Sequence, residues 1–211
     1  GQGKIISGSA DAPLKIWTPE LAHAARLLTN CVALAWRPDH QQVAGSFWHD
    51  KENQGGLAVL DVGTWRTVFT FPDLKAAVPV VLAWSPDGKR LAGRFGVGDG
   101  RVLKVWDVPT RNELLTLTNA VADHNGDRGF WNLDWSPDGR SFATAGMDAA
   151  VRLWNVATKE NYRSFYDHSN AVVVARWSPD GRWIASKDFF WAVVLVWEAQ
   201  TGKVRLKLQC P

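Results

Sequence analysis

Ser, His and Asp side chains cluster around residue 168, and these three residue types form the catalytic triad of many hydrolases. Asp167, His168 and Ser169 are consecutive, and Ser186 follows further along the chain. An α/β-hydrolase also needs its nucleophile on a strained strand-to-helix turn, which a Gly-x-Ser-x-Gly sequence marks. This chain contains no such sequence. We therefore interpret these side chains as structural and predict no catalytic residues and no enzyme activity.

A short acidic segment has the spacing of a calcium-binding loop. Asp123, Asn125 and Asp127 alternate along it, and Asp134 follows at the position of the last carboxylate. Arg128, however, stands where that loop requires Gly. The five His residues are dispersed, without a His/Cys pair at ligand spacing: His23, His40, His49, His124 and His168. We predict neither a metal site nor a cofactor.

The glycines between Gly93 and Gly100 resemble a phosphate-binding loop only in composition. No helix is predicted after them, and no Gly-Lys-Ser/Thr sequence is present. A loose hairpin explains them better, and we expect no small-molecule substrate.

The aromatic run Phe189-Phe190-Trp191 admits two interpretations. It could anchor a partner, because aromatic residues dominate interface hot spots. It could instead begin a strand that packs on the preceding repeat. Since aromatic side chains commonly lie in cores, packing is the favoured interpretation.

Composition limits the class of protein. The net charge is only +3, from 24 basic and 21 acidic residues, and the basic residues are scattered, so we predict no nucleic-acid binding. The longest apolar run, 76–84, is about half of a membrane span and contains Pro79, so no membrane partner is expected. Cys31 and Cys210 cannot form a disulfide framework, which favours a reducing, cytoplasmic location.

The chain is built from repeats. One pentapeptide recurs at spacings of 48, 51 and 42 residues: Trp36-Arg-Pro-Asp-His40, Trp84-Ser-Pro-Asp-Gly88, Trp135-Ser-Pro-Asp-Gly139 and Trp177-Ser-Pro-Asp-Gly181. An apolar run ending in Trp or Leu and a polar residue follows each copy: 57–61, 102–107, 151–155 and 193–198. A further such run, 14–18, has no pentapeptide before it.

Each repeat predicts four short strands without helical periodicity. Pro presets the turn after the first strand, and Gly accepts a positive φ there. A lone four-stranded sheet cannot bury both faces, so such units must stack, and units near 45 residues suit propeller blades. We therefore predict an all-β fold with the recurring Trp residues between neighbouring sheets.

These motifs resemble the WD40-repeat β-propeller family. Residues 5–17 and 142–154 follow the family's second-to-third-strand pattern without a gap. The resemblance implies four full four-stranded antiparallel blades and a partial first one, and Gly1–Lys4 then occupies a turn whose inner strand would precede Gly1. We expect a fragment of a larger propeller. The predicted repeats are approximately 1–29 (partial), 30–75, 76–119, 120–168 and 169–211.

Family blades often carry a hydrogen-bonded set of His, Ser or Thr, Asp and Trp. The resemblance implies such a set in the fifth blade and partial sets in the fourth and first: His168, Ser186, Asp188 and Trp197; Thr144, Asp148 and Trp154; Ser7, Asp11 and Trp17. The second blade departs from the pattern with Leu60 in place of Trp and His40 in place of Gly.

By the same resemblance, the function expected is a non-catalytic scaffold or sensor module within a larger protein, binding a protein or peptide at its top face. The residues that family register places there include Asn30, Val78, Arg128, Trp131, Met147, Asn170 and Lys187. The alternatives are a propeller-fold enzyme or a TolB-like transport accessory protein, and, more distantly, a nucleic-acid binder.

Overall fold

Every element in the computed structural model, over the residues it describes, is a β-strand. None of these residues forms a helix that is long and apolar enough to cross a membrane. The described residues are 5–9, 12–17, 31–49, 54–64, 66–71, 74, 78–95, 102–118, 130–190 and 193–209.

The strands form one antiparallel pair followed by four sheets, each of four antiparallel strands in chain order. This confirms the predicted all-β fold with four complete blades and a partial first blade. The first pair is β1 (Ile5–Ser9) and β2 (Ala12–Trp17), and the second blade is β3 (Cys31–Trp36), β4 (Gln42–His49), β5 (Gln54–Asp61) and β6 (Thr67–Thr70). The third blade is β7 (Pro79–Trp84), β8 (Arg90–Phe95), β9 (Leu103–Asp107) and β10 (Glu113–Leu117). The fourth is β11 (Phe130–Trp135), β12 (Ser141–Gly146), β13 (Val151–Asn155) and β14 (Asn161–Phe165). The fifth is β15 (Val172–Trp177), β16 (Trp183–Asp188), β17 (Val193–Glu198) and β18 (Val204–Gln209).

The chain divides into two compact units, residues 1–82 and 83–211, and the division falls within β7. In the first unit the central strands of the second blade supply the core, where Val43, Leu57 and Val59 are fully buried. The buried Ser46 hydroxyl donates to the Pro79 carbonyl at 2.6 Å and accepts the Ala33 N–H at 3.0 Å. The Ser46 hydroxyl therefore has hydrogen-bond partners inside the apolar core.

The Ser-Pro-Asp-Gly turns are closed by their own side chains. Ser136 Oγ donates to Asp138 Oδ1 at 2.6 Å and accepts the Ser141 N–H at 3.0 Å. Gly139 has a φ of +67°, which a residue without a Cβ adopts at little cost. The same bonds hold the turns that begin at Ser85 and Ser178. The repeated pentapeptide therefore encodes one recurring turn after each first strand.

His40 takes the place of this Gly in the second blade and adopts the same backbone conformation, with a φ of +59°. A side chain at positive φ is disfavoured sterically. The turn geometry is thus kept even where the sequence departs from Gly.

Tryptophans lie between the sheets of the second unit, as predicted. Trp197 is fully buried and Trp135 is 5% exposed. A single apolar cluster joins the fourth and fifth blades, and its members are Ala143, Ala145, Val151, Leu153, Phe165, Val172, Ala175, Ile184, Leu195, Trp197 and Ala199. Burial of these apolar side chains is the main force that holds the two sheets together.

Polar contacts also link neighbouring first strands in this unit. The Trp135 indole N–H donates to the Ala83 carbonyl at 3.0 Å, which joins β11 to β7. The Trp177 backbone N–H donates to Asp134 Oδ2 at 2.7 Å, which joins β15 to β11. First strand therefore lies beside first strand, in the manner of stacked propeller blades.

Candidate partner-binding site

The strand register places the predicted top-face residues of the fourth and fifth blades at one edge of the sheets. In the fifth blade Val172 pairs with Asp188, and Val193 pairs with Gln209. The matching positions in the fourth blade are Phe130, Gly146, Val151 and Phe165. We call this the top edge. The Ser-Pro-Asp-Gly turns lie at the opposite, bottom edge.

Three aromatic residues form a partly exposed group at the top edge, which we call the aromatic cluster (Trp131, Phe189 and Phe190). The Phe189 ring packs edge-on against Trp131, with centroids 5.5 Å apart, and against Phe190 at 4.8 Å. Phe189 is 51% exposed and Phe190 is 72% exposed. The cluster bridges two blades, because Trp131 belongs to β11 and the phenylalanines follow β16.

Packing alone does not account for these phenylalanines. Phe189 does contact the preceding blade through Trp131, as the packing interpretation required. Phe190, however, is mostly exposed, and β17 begins only at Val193, so the interpretation as the buried start of a strand is wrong for Phe190. The third aromatic of the run, Trp191, lies outside the described residues.

The other residues predicted at the top face fall into two groups, those that lie at the top edge and those outside the described residues. Trp131, Met147, Asn170 and Lys187 are half-buried at the top edge. The Lys187 ammonium donates to the Asp188 carbonyl at 3.2 Å, which holds the side chain near the hairpin. Asn30 and Arg128 lie outside the described residues.

Val78 is a correction to the sequence prediction. It was expected to contact a partner, but it is only 8% exposed. A Cβ at Gly55 would collide with Val78 Cγ1, so the valine side chain fills the space that Gly55 leaves free. Close packing within the first unit therefore removes Val78 from the surface.

The fifth-blade residues of the implied hydrogen-bonded set lie close together, but only some of the bonds are present. His168 Nε2 lies 2.7 Å from Ser186 Oγ, and the imidazole meets the Trp197 ring edge-on at 5.5 Å. Asp188 Oδ1 accepts the Val193 N–H at 2.9 Å. Among the described residues, His168 Nδ1 and Trp197 Nε1 have no hydrogen-bond partner. The buried set thus positions the hairpin and the ring without a continuous chain of bonds.

The environment of His168 favours a neutral imidazole. Burial lowers its pKa, and the Lys207 charge lowers it further, while Asp188 and Asp167 oppose the shift. Ser186 is 2% exposed, so a substrate could not approach its hydroxyl. This geometry supports the structural interpretation of the Ser, His and Asp residues.

The fourth-blade set is divided between two interactions. The Trp154 indole N–H donates to Thr144 Oγ1 at 2.9 Å. Asp148 instead forms an ion pair with Arg152, whose Nη1 lies 3.1 Å from Asp148 Oδ1. The guanidinium is almost fully buried and requires a carboxylate partner. Sequence reasoning overlooked Arg152, although a basic residue between Val151 and Leu153 in an apolar strand was a usable signal.

The first-blade set lies at the margin of the described residues. Ser7 lies in β1 and Trp17 ends β2, and only their backbones are described. Asp11 lies outside the described residues.

The calcium-like segment is also mostly undescribed. Asp123, Asn125, Asp127 and Arg128 lie outside the described residues. Asp134 lies in β11, where burial raises its pKa and its carboxylate accepts the Trp177 N–H. Its role in the structure is therefore to link two blades. Within the described part of the chain, no three His, Cys, Asp or Glu side chains are grouped so as to hold a metal ion.

Comparisons with known proteins agree with the repeat pattern. The family model described as "WD domain, G-beta repeat" matches residues 115–155 and 159–189. The chain is 31% identical over 157 residues to the Periodic tryptophan protein 2 homolog of Neurospora crassa, which covers 67% of this chain and 17% of that protein. It is 29% identical over 107 residues to Protein HIR1 of Candida albicans, covering 51% of this chain and 10% of that protein. The chain thus spans less than a fifth of either relative.

A solved structure shares the fold. A chain in the crystal structure of the mitotic checkpoint complex superposes with a TM-score of 0.63 at 20% identity, covering 83% of this chain and 48% of that chain. The matched repeats run from the end of the third blade, through the fourth blade, to the second strand of the fifth, and they contain two of the Trp-Ser-Pro-Asp-Gly turns. Taken with the four-stranded antiparallel blades, these matches show that the chain carries WD40 repeats.

Proposed function

We propose that this chain is a non-catalytic protein-interaction module that binds a protein or peptide partner through the aromatic cluster at its top edge. The observation that carries the proposal is the exposure of Phe190 beside Phe189 and Trp131. Exposed aromatic rings of this kind are costly in water and are typical of interface anchors.

The surroundings of the cluster suit a protein interface. Met147, Asn170 and Lys187 are half-buried at the same edge and would supply a mixed rim around an aromatic centre. The Phe189 N–H donates to the Ala171 carbonyl at 2.8 Å, so the backbone that carries the rings is held before a partner binds. A preorganised surface loses less conformational entropy on binding.

Two further considerations support a protein-binding module over an enzyme and over a nucleic-acid binder. The Ser186 hydroxyl is inaccessible beside a neutral His168, and no metal-binding group occurs in the described residues. The near-balanced charge disfavours nucleic acid as the partner. The cytoplasmic location stays a prediction.

Peptides selected from a random display library against the 211-residue chain test the proposal. We expect Phe190→Ala and Phe189→Ala to weaken the selected peptides by about 2 kcal/mol or more, the loss typical of a hot spot. The measurement is the dissociation constant of each peptide by calorimetry.

Val68→Ala is the matched control, because Val68 is 44% exposed on strand β6 of the second blade, which contributes no residue to the aromatic cluster. It is expected to leave the same affinities unchanged. If the selected peptides bind both phenylalanine variants as tightly as the parent chain, the aromatic cluster is not the binding surface.

A further inference from the structure

A second candidate site lies at the bottom edge, between the fourth and fifth blades. A cavity of about 380 Å³ opens there, which is within the size range of small-ligand pockets. It is lined by Ser136, Pro137, Asp138, Ser141, Tyr162, Trp177, Asp180, Gly181, Ala199 and Gln200. We call it the bottom pocket.

The bottom pocket combines two carboxylates with two aromatic rings. Asp138 and Asp180 are both ionised near neutral pH, because hydrogen bonds from Ser136 and Ser178 help to lower their pKa values, against the opposing effect of burial. Tyr162 and Trp177 supply the aromatic surface, and no Lys or Arg is among the lining residues. Such a lining favours a cation that can lie against a ring and meet a carboxylate.

Two sites within the chain show that a carboxylate beside an aromatic ring binds a guanidinium. The Arg152 guanidinium pairs with Asp148 and lies 5.9 Å from the centre of the Tyr166 ring. Arg205 likewise lies 3.4 Å from Glu198 and 6.0 Å from the centre of the Trp183 ring. In both places a guanidinium joins one carboxylate and one aromatic ring.

Trp177 distinguishes this blade junction from the preceding one. The equivalent Trp135 donates its indole N–H to the Ala83 carbonyl at 3.0 Å. Trp177 Nε1 has no hydrogen-bond partner among the described residues, and its ring is less buried than that of Trp135. The Trp177 indole therefore lacks the hydrogen bond that ties Trp135 to the neighbouring first strand, and the residue lines the bottom pocket.

We propose that the bottom pocket binds the arginine side chain of a protein or peptide, as a site separate from the aromatic cluster. The planar guanidinium would lie against Tyr162 or Trp177 and donate to Asp138 or Asp180. Arginine suits such a site better than lysine, because its fork of donors matches a carboxylate and its plane stacks on rings.

Three arginines of the chain itself lie near the pocket: the charge of Arg140 acts on Asp138, that of Arg163 on Tyr162, and that of Arg182 on Asp180. Arg182 Nε lies 3.8 Å from Asp180 Oδ2, but the Arg182 side chain is 78% exposed. An exposed ion pair of this length contributes little stability, so an incoming guanidinium can displace it.

The test uses two tripeptides, acetyl-Gly-Arg-Gly-amide and its citrulline counterpart, which has nearly the same shape without the charge. Each is titrated into the 211-residue chain labelled with ¹⁵N at the Trp indoles, and Trp177→Phe assigns the Trp177 resonance. We expect the arginine peptide to shift this resonance with a dissociation constant in the millimolar range, and the citrulline peptide to bind at least about fivefold more weakly.

Variants separate the pocket from general charge effects. The double variant Asp138→Asn/Asp180→Asn is expected to weaken the arginine peptide about tenfold, whereas Asp87→Asn, in the equivalent turn of the third blade, leaves it unchanged. Gln200→Arg places a competing cation at the exposed rim and leaves the Ser-Pro-Asp-Gly turns unchanged, and we expect it to weaken binding even if the double variant does not fold.

The aromatic cluster provides an independent control. Phe190→Ala is expected to bind the arginine peptide as the parent chain does, so failure of one site is distinguishable from failure of the other. The proposal is overturned if the arginine peptide leaves the Trp177 resonance unmoved, if citrulline binds equally well, or if Gln200→Arg has no effect.

Discussion

The Phe165 ring lies parallel to the Trp197 indole, with centroids 4.8 Å apart and 9° between the planes. Phe165 ends the outer strand of the fourth blade, and Trp197 lies in the third strand of the fifth. The stack therefore joins two blades within their shared apolar cluster. It is the clearest case of a tryptophan between sheets, which the repeat spacing predicts.

Replacing Trp197 with Ala is expected to lower the free energy of unfolding by about 3–5 kcal/mol, because it opens a cavity in a fully buried contact. Urea denaturation followed by tryptophan-independent circular dichroism measures the change. Trp183→Ala is the control, since Trp183 is only half-buried. Equal losses in the two variants would show that the inter-blade stack has no special role.

Acidification is expected to destabilise the fifth blade through His168. Its pKa is lowered in the folded chain, mainly by burial, from the ordinary value of 6.5. The unfolded chain therefore binds a proton more readily, so the stability that the neutral imidazole contributes is present above pH 6.5 and is lost as the pH falls below it. The free energy of unfolding can change by up to about 1.4 kcal/mol per pH unit when the unfolded chain binds one proton more than the folded chain.

Unfolding free energies between pH 5 and 7 measure this effect, and His168→Gln is the comparison because its side chain does not titrate. The variant is expected to show a shallower dependence on pH over this window. A slope identical to that of the parent chain would exclude His168 as the responsible group.

The ion pair between Asp148 and Arg152 leads to a third prediction. Asp148→Ala would leave a nearly buried guanidinium without its carboxylate, and the expected loss of stability is about 3–5 kcal/mol. The double variant Asp148→Ala/Arg152→Leu removes both charges. It is expected to lose clearly less stability than Asp148→Ala, because no buried charge is left without a partner. Denaturant unfolding of both variants checks the order. A double variant less stable than the single one would contradict it.

The repeat spacing and turn chemistry were sufficient to predict the blades, because each depends on residues close together in the chain. Ser136, Asp138 and Gly139 make their turn almost without outside help. The family resemblance likewise predicted that His168 and Ser186 belong to one hydrogen-bonded set, and their side chains lie within hydrogen-bond distance.

Three features depended on how the side chains pack and could not be predicted in this way. Val78 is buried because Gly55, in another blade, leaves room for it. Asp148 pairs with Arg152 because that guanidinium is buried more deeply than its strand position suggests. Phe190 is exposed because the hairpin carries it past the edge of the sheet before β17 begins. Each outcome is a matter of side-chain packing in three dimensions, which local patterns do not encode.

The turns after the first strands of the second and fifth blades have His40 and Gly181 at equivalent positions. We predict that substitutions at these two positions change the free energy of unfolding in opposite directions. His40 and Gly181 both have positive φ, +59° and +70°. Because a Cβ is disfavoured there by roughly 1–2 kcal/mol, Gly181→Ala is expected to lower the free energy of unfolding by about that amount. His40→Gly removes the same penalty but frees the unfolded backbone, so a smaller gain of at most about 1 kcal/mol is expected.

Urea denaturation measures both changes, with hydrogen exchange of the flanking strands to assign each to its blade. The amides of β3 and β4 are expected to exchange more slowly in His40→Gly, and those of β15 and β16 faster in Gly181→Ala. The edge-on contact of His40 with Trp36, with ring centroids 6.4 Å apart, is lost in the glycine variant. A net destabilisation by His40→Gly would therefore mean that this ring contact outweighs the backbone strain, and that the departure from Gly in the second blade is compensated by packing.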